Sequence, residues 1–468
     1  MHICGSADIL SRDEIERILQ QALRILAEIG IRLPNAQMQA VLADYGARVD
    51  ADRELVFFPT AMLEQFFSAT QAFERDAQAA LSFSAGAYPQ YYAEPKTGCV
   101  QLHTLRTVIE MTRLTDQLSH ITNLYDSMGV PSDVPDLLSP LYMRLLVWKY
   151  TRKGQCGQVH LKRLLPYVIE MAQVMADSEG GSLANYAFLT CQMISPLQFG
   201  EQELTMFVYF WERGLKAEPG QILSSGGTAP ATLAGTVALQ VAENLVINLI
   251  DRFFYANPIL HFSNSATVID MKTAAFQYGR PELGLTHLAI GQIARYLGAS
   301  FDANCFLGDA KVPSCEMGMQ KALNAIPAIL AGTRSLGTLG LLSVDEIGSP
   351  LQLILDDEYA GALQRFARGF EIDEDTLAYD LIREIGPGGL FIGTEHTARH
   401  YRKEHWQPAL FSREMYNAWM AGSHQTDIER AADMYNTIMA AEPKVYLGES
   451  TEKALLQLIE KAGREIGE

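Results

Sequence analysis

Three histidines, His396, His400 and His405, and three cations, Arg399, Arg402 and Lys403, crowd into the stretch "GGLFIGTEHTARHYRKEHWQPALF". An imidazole can ligate a metal, carry a proton or, once protonated, meet an anion. His396 and His400 are four residues apart and would share one face of a helix, as paired zinc ligands do. The metalloprotease pattern needs Glu directly after the first His, but Thr397 stands there and no third ligand lies nearby in sequence. Cys156 and His160 show a CxxxH spacing that is equally unsupported. No metal ligand is therefore assigned. An anion site has more behind it. Gly393 and Thr394 open a helix whose first turn would offer free N–H groups and the positive end of the macrodipole. His396 and Arg399 would flank a carboxylate there, with Arg able to bind it through two bonds. Arg399, Arg402 and Lys403 could equally line a solvated face against Glu395 and Glu404.

Other candidates are weaker. Asp356, Asp357 and Glu358 look like paired catalytic acids, yet adjacent residues point in different directions, and a helix surface is the expected explanation. The aromatics Tyr91, Tyr92, Phe188, Phe262, Phe391 and Trp406 could build a cage for a quaternary ammonium group. Those near strand ends, Phe188, Phe262 and Phe391, have the better claim.

The elements that must position these groups alternate. "SRDEIERILQQALRILAEIG" is an amphipathic helix with a Ser11–Glu14 capping box and a stop at Gly30. With a short strand "ELVFF" and further helices it forms an α/β leader over residues 1–100. From about residue 119, β-like runs alternate with helices: "HITNLYDS", "QCGQVH", "YAFLTCQMIS", "GQILSSGG", "PILHFSNSA", "SFDANCF", "AILAGTRSLGTL" and "GGLFIGTEH". Such alternation implies a parallel sheet, and eight units imply a closed (β/α)8 barrel over residues 101–400, with C-terminal helices over 401–468. The C-terminal strand ends would form the functional face, with "GGLFIGTEH" as strand eight. Gly226, Gly227 and Asn264 would leave room there and aim backbone N–H groups at a ligand.

Composition narrows the function. A chain of 468 residues exceeds the usual single domain, but a barrel with extensions can use it as one body. A formal charge of −18 argues against nucleic acid, whose phosphates need Lys and Arg. "TLAGTVALQVAENLVINLI" is long and apolar, but Gln240, Glu243 and Asn244 interrupt it, so a buried helix is expected rather than a membrane span. The N-terminus lacks a basic region followed by an apolar run, and six scattered cysteines form no CxxC pair. A cytoplasmic protein with reduced thiols is the expectation.

Several blocks together resemble the trimethylamine methyltransferase family of corrinoid-dependent enzymes. They are "GGLFIGTEHTARHYRKEHWQPALFSREMYNAWMAGS", "SSGGTAPATLAGTVALQVAENLV" and "GSPLQLILDDEYAGAL", supported by "MISPLQF" and "YGRPELGL". The resemblance implies a (β/α)8 barrel that moves a methyl group from an N-methylated amine to the cobalt of a corrinoid (a cobalamin) carried by a separate small protein. The trimethylamine enzymes carry pyrrolysine near the segment matching "GTLGLLSVDEIGS"; only standard residues stand here. That departure points to the branch acting on quaternary amines such as glycine betaine, proline betaine or carnitine. A quaternary ammonium already has a neutral amine as its leaving group, so positioning would suffice and no acid–base pair is needed. The expected substrate contacts are His396, Thr394, Arg399, Phe391, Gly226, Gly227, Phe188, Phe262 and Asn264. A betaine-binding subunit without turnover and an unrelated metal-dependent barrel hydrolase stand as alternatives; a homo-oligomer is left open.

Overall fold

Eight strand–helix units follow one another from Ser82 to Arg368 in a computed structural model that describes residues 3–76, 79–154, 156–422 and 424–466. The strands are Ser82–Ala85, Asn123–Leu124, an extended segment from Gly154, Leu189–Ile194, Ala217–Gly220 continuing to Ser224–Ser225, His261–Asn264, Ser300–Ala303 and Ser335–Leu339. All pairings between neighbours are parallel: Ser84 faces Asn123, Leu124 bridges Gly154, Leu189 faces Ala217, His261 faces Ser300 and Ala303 faces Leu336. Ser335 then pairs with Ser82 and closes the ring. The helices are Leu105–Gln117, Ser139–Tyr150, Leu165–Glu179, Glu201–Trp211, Leu233–Tyr255, Pro281–Tyr296, Cys315–Ala331 and Pro350–Arg368, one after each strand. The fold is a (β/α)8 barrel.

Six of the expected strand segments carry barrel strands; of "QCGQVH", Gln155 lies outside the described residues and 156–160 form no strand, the third position being marked by the bridge at Gly154 just before it. The eighth expectation is corrected. Residues 388–394 carry turns and no strand, and the missing strand is Ser82–Ala85, inside the segment assigned to the leader. "SFSA" is too short and too polar to announce a buried strand. It becomes one because strands on both sides supply its hydrogen-bonding partners.

The opening helix forms as its sequence implied. The Ser11–Glu14 capping box is present, the helix Arg12–Arg24 runs into a π turn at Ile25–Ile29, and Gly30 ends it at φ +72°. A Cβ at Gly30 would lie 2.5 Å from the Val56 carbonyl oxygen, so only glycine fits. The strand Ile31–Arg32 pairs with Leu55–Phe57 and, through Arg32, with Gln198, joining the leader to the barrel.

The long helix Leu233–Tyr255 is a core element, as its polar interruptions implied. Asn248 accepts from His261 N and donates to His261 O, both at 2.7 Å. Asn244 does the same with Ser263 N and O at 2.9 Å. Two side-chain amides thus meet the backbone of one barrel strand, a role no apolar residue could fill.

After the barrel, residues 371–422 form an arm of short helices that includes Glu374–Leu377, Tyr379–Ile385 and Glu395–Glu404. Its apolar side chains are largely uncovered: Leu390 is 78% and Ile392 85% exposed. Two longer helices, Asp427–Ala440 and Glu449–Ile466, then pack back on the barrel helices.

Candidate functional site

Period-two alternation along each strand sorts the residues into those facing the helices and those facing the lumen. Along Leu189–Ile194, Cys191 turns outward and its thiol meets the Glu203 carbonyl on the covering helix; Gln192 and Ile194 take the other side and are exposed. The Gly220 Cβ position lies 2.6 Å from the Gln192 side chain, which places Gly220 on that same inner face. By this parity the lumen receives Asn123 and Tyr125, Gln192, Glu218, His261 and Ser263, and Ser300 and Asp302. Barrel interiors are usually filled by branched apolar side chains. This one is polar and partly open: Glu218 and Asp302 keep 48% and 45% of their side-chain surface. His261 Nδ1 shares a 2.9 Å hydrogen bond with Ser300 Oγ, and its Nε2 lies 4.0 Å from Asp302.

Above the lumen stand three tyrosines from loops that follow the strands. Tyr88 comes after the first strand, Tyr125 after the second, and Tyr278 after the sixth. Burial, Asp345 and Asp126 push the Tyr88 hydroxyl up to about 12. Burial raises Tyr125, and then Asp126, Glu218 and Tyr88 add to it; burial raises Tyr278, with Asp345 and Tyr88 adding. The hydroxyls therefore stay protonated at neutral pH, inside a field set by carboxylates. Tyr125 nonetheless presents 42% of its surface to solvent, the combination a cavity wall produces. Tyr88 and Tyr278 share an apolar cluster with Leu283, Leu307, Leu341 and Val344.

The supports of this rim are specific. Asp309 accepts from Tyr278 N and Gly279 N at 2.8 Å each, and Asn324 donates to Tyr278 O at 2.7 Å. Asp126, fully buried, accepts from the Cys156 thiol at 2.7 Å and from Ser127 N, Gly157 N and Gln158 N. Burial raises its carboxyl, against the pull of these donors. Arg144, also fully buried, donates through Nη1 to Pro140 O and Gln158 O and leaves Nε and Nη2 unmet. Backbone strain collects here too, with left-handed φ at Tyr88 (54°), Phe306 (79°), Thr338 (70°), Ser343 (52°) and Val344 (68°). A β-branched residue in that region persists only where its surroundings enforce it, and such sites cluster around function.

The residues expected to touch substrate do not converge. Phe262 and Asn264 lie on the outward parity of their strand. Phe262 is core, while Asn264 donates to Thr286 and His287 on the covering helix and accepts from Ala266 N. One residue of register puts His261 and Ser263 in the lumen instead. Phe188 keeps the inward parity and packs against Gly157, where a Cβ would meet its ring at 2.4 Å. Gly226 and Gly227 sit at a strand end, but their N–H groups are spent on Ala229 O and Ser224 O inside the turn.

The opening stretch lies on the arm. Thr394 caps the helix Glu395–Glu404, Phe391 lends it a carbonyl, and His396 and Arg399 turn to Asp375. Among the described residues, no hydrogen bond, ion pair or ring contact of Phe391, Thr394, His396 or Arg399 reaches a barrel strand. The helix entrance expected at the mouth thus has its polar contacts within the arm, with His396 and Arg399 turned to Asp375. With residues 388–394 outside the sheet, the helix has no strand to carry it there.

The three consecutive acids are not a helix surface either. Asp356 takes Lys321 Nζ (2.5 Å) and Gly340 N (2.7 Å); Asp357 takes His120 N and Ile121 N; Glu358 takes Ala409, Leu410 and Phe411 N. All three are buried, each tying a different segment to one helix. Cys156 and His160 diverge, the first buried on Asp126 and the second exposed.

Sequence alone missed Tyr88, Tyr125, Tyr278, Asp302 and Glu218. Strand parity could have found Tyr125 and Asp302. Tyr88 and Tyr278 sit on loops with no periodic signal.

A closed parallel barrel with an open, acid-bearing lumen and strained loops at its strand ends is the framework of a barrel enzyme. Residues 2–467 match the family described as trimethylamine methyltransferase (MTTB), and the chain belongs to that family of methyltransferases. It is 27% identical to the glycine betaine methyltransferase of Desulfitobacterium hafniense (strain Y51), an alignment covering 98% of both chains. It is 23% identical to the trimethylamine methyltransferase MttB of Desulfitobacterium hafniense (strain DSM 10664 / DCB-2), over 98% of this chain and 94% of that one. The crystal structure of the Methanosarcina barkeri monomethylamine methyltransferase superposes with a TM-score of 0.42 at 14% identity, covering 86% of this chain and 94% of the other.

Proposed function

We propose that this chain transfers a methyl group from a quaternary amine, glycine betaine first, to the cobalt of a corrinoid held by a partner protein. The observation that carries the reading is the rim of Tyr88, Tyr125 and Tyr278 over a lumen bearing Glu218 and Asp302. Aromatic faces and nearby carboxylates are what a permanent cation seeks, each desolvated ring contributing roughly 1–2 kcal/mol. The segment Gly337–Ser349, which resembles the pyrrolysine-bearing stretch of the family, brings Asp345 to the same rim.

The methyl acceptor is a substrate here, and its reduced cobalt supplies the nucleophile. This chain's work is to hold the ammonium among the rings, aim one N–CH3 out of the mouth and exclude water from it. The departing tertiary amine is neutral, so no proton need move, consistent with tyrosine hydroxyls that keep theirs. Arg144, with two unused donors beside Asp126, is where a carboxylate-bearing amine finds its countercharge.

The test is incubation with a reduced corrinoid protein and glycine betaine, proline betaine or carnitine, following the change from the Co(I) to the methyl-Co(III) spectrum. Turnover with one of them supports the reading and selects the substrate. Absence of methyl-cobalt with every quaternary amine, where trimethylamine reacts, would overturn it.

A further inference from the structure

The His396–His400 pair, left without a third ligand by the sequence, acquires one in the fold. Asp375, on the short helix Glu374–Leu377, is brought against the first two turns of Glu395–Glu404. The ligating atoms of Asp375, His396 and His400 all lie within 4.8 Å of one another. The two imidazole rings stand 4.3 Å apart, tilted by 35°. His400 Nε2 is 3.0 Å from Asp375 Oδ2, yet this buried nitrogen makes no hydrogen bond. Arg399 takes the other carboxylate oxygen at 2.7 Å, which leaves Oδ2 turned to the histidines. His396 Nε2 lies 3.1 Å from the Asp375 carbonyl.

We infer that Asp375, His396 and His400 form a site for a divalent first-row transition ion, with zinc the best match. Two imidazoles and one carboxylate are a common zinc donor set, with ligand bonds of about 2.0–2.2 Å and a fourth position for water or another ligand. Binding an ion exchanges the His396 hydrogen bond to the Asp375 carbonyl for a coordinate bond. Both imidazoles would bind in the neutral form. The ion would staple the two ends of the segment 375–400, whose middle carries the uncovered Leu390, Phe391 and Ile392. The site stands apart from the barrel lumen, and the inference does not depend on the methyl-transfer reading.

The experiment uses the full chain, stripped with a chelator and titrated with Zn(II) by calorimetry and with Co(II) by absorption spectroscopy. We expect one saturable equivalent of each and a Co(II) spectrum of nitrogen and oxygen ligands, without the intense thiolate charge-transfer band that binding at Cys4, Cys99 or Cys315 would give. His396→Ala, His400→Ala and Asp375→Ala should each abolish saturable binding while the far-ultraviolet circular dichroism stays unchanged. Arg399→Ala, which breaks the ion pair but spares the ligands, and His160→Ala should both still bind. No saturable binding in the unaltered chain, a thiolate spectrum, or ligand variants that bind as well as the unaltered chain would overturn the inference.

Discussion

Lys321 Nζ lies 2.5 Å from Asp356 Oδ2 with both side chains withdrawn from water. Burial pushes the lysine down and the carboxyl up, each against the pull of the other. The pair ties the helix after the seventh strand to the helix after the eighth, and Asp356 also holds Gly340 at the strand end. A buried pair costs most when only half of it is removed. Lys321→Met alone should therefore lose about 3–5 kcal/mol in urea unfolding, while Lys321→Met with Asp356→Asn should recover much of it. Equal losses for the single and double variants would show that the pair is not coupled.

Asn244 and Asn248 each satisfy both backbone groups of a residue on the sixth strand. Replacing either with Ala leaves a buried N–H and C=O to find new partners, at about 1–3 kcal/mol for each group left unmet. Because His261 and Ser263 face the lumen, the same variants should reduce kcat/KM beyond what a fall in stability explains. Unfolding midpoints and steady-state rates on folded protein separate the two effects.

Tyr278 is held from behind by Asp309 and Asn324, so its ring is a fixed wall. Tyr278→Phe keeps the aromatic face and should leave KM for the quaternary amine within a few-fold. Tyr278→Ala removes it and should raise KM about 10-fold, the equivalent of 1–2 kcal/mol. Equal KM values for Phe and Ala would remove Tyr278 from the cage.

His120 donates its backbone N–H to Asp357 and places its ring Nδ1 3.0 Å from the same carboxylate. That hydrogen bond and the surrounding acids raise the imidazole above its ordinary value, against partial burial. A group raised on folding stabilises fully below its unfolded value, near pH 6.5, and loses that contribution as pH rises through the folded value. The stability gap between the unaltered chain and His120→Gln should thus be widest at pH 6 and narrow toward pH 9. A gap that widens with pH would contradict this assignment.

Local signals carried a large part of the fold. The capping box at Ser11–Glu14, the helix stop at Gly30 and six strand segments follow from side-chain periodicity, propensity and turn residues. So did the buried character of Leu233–Tyr255, since Gln240, Glu243 and Asn244 do not belong in lipid. The motif blocks spanning most of the chain identified the family. All of these are properties of residues near one another along the chain.

What the tertiary structure decided is where distant segments meet. "SFSA" is a barrel strand and "GGLFIGT" is not, because a strand needs neighbours whose free backbone groups match its own, and those neighbours lie far away in sequence. Phe262 and His261 differ by one residue, yet the closure of the ring sends one to the helices and the other to the lumen. Asp375 completes a triad with His396 and His400 only because two short helices fold against each other. Asp356, Asp357 and Glu358 read as one acidic run and serve three separate clamps. The physical reason is common to all four: composition and spacing set which way a side chain can point along its own element, but its partner is set by packing across the barrel.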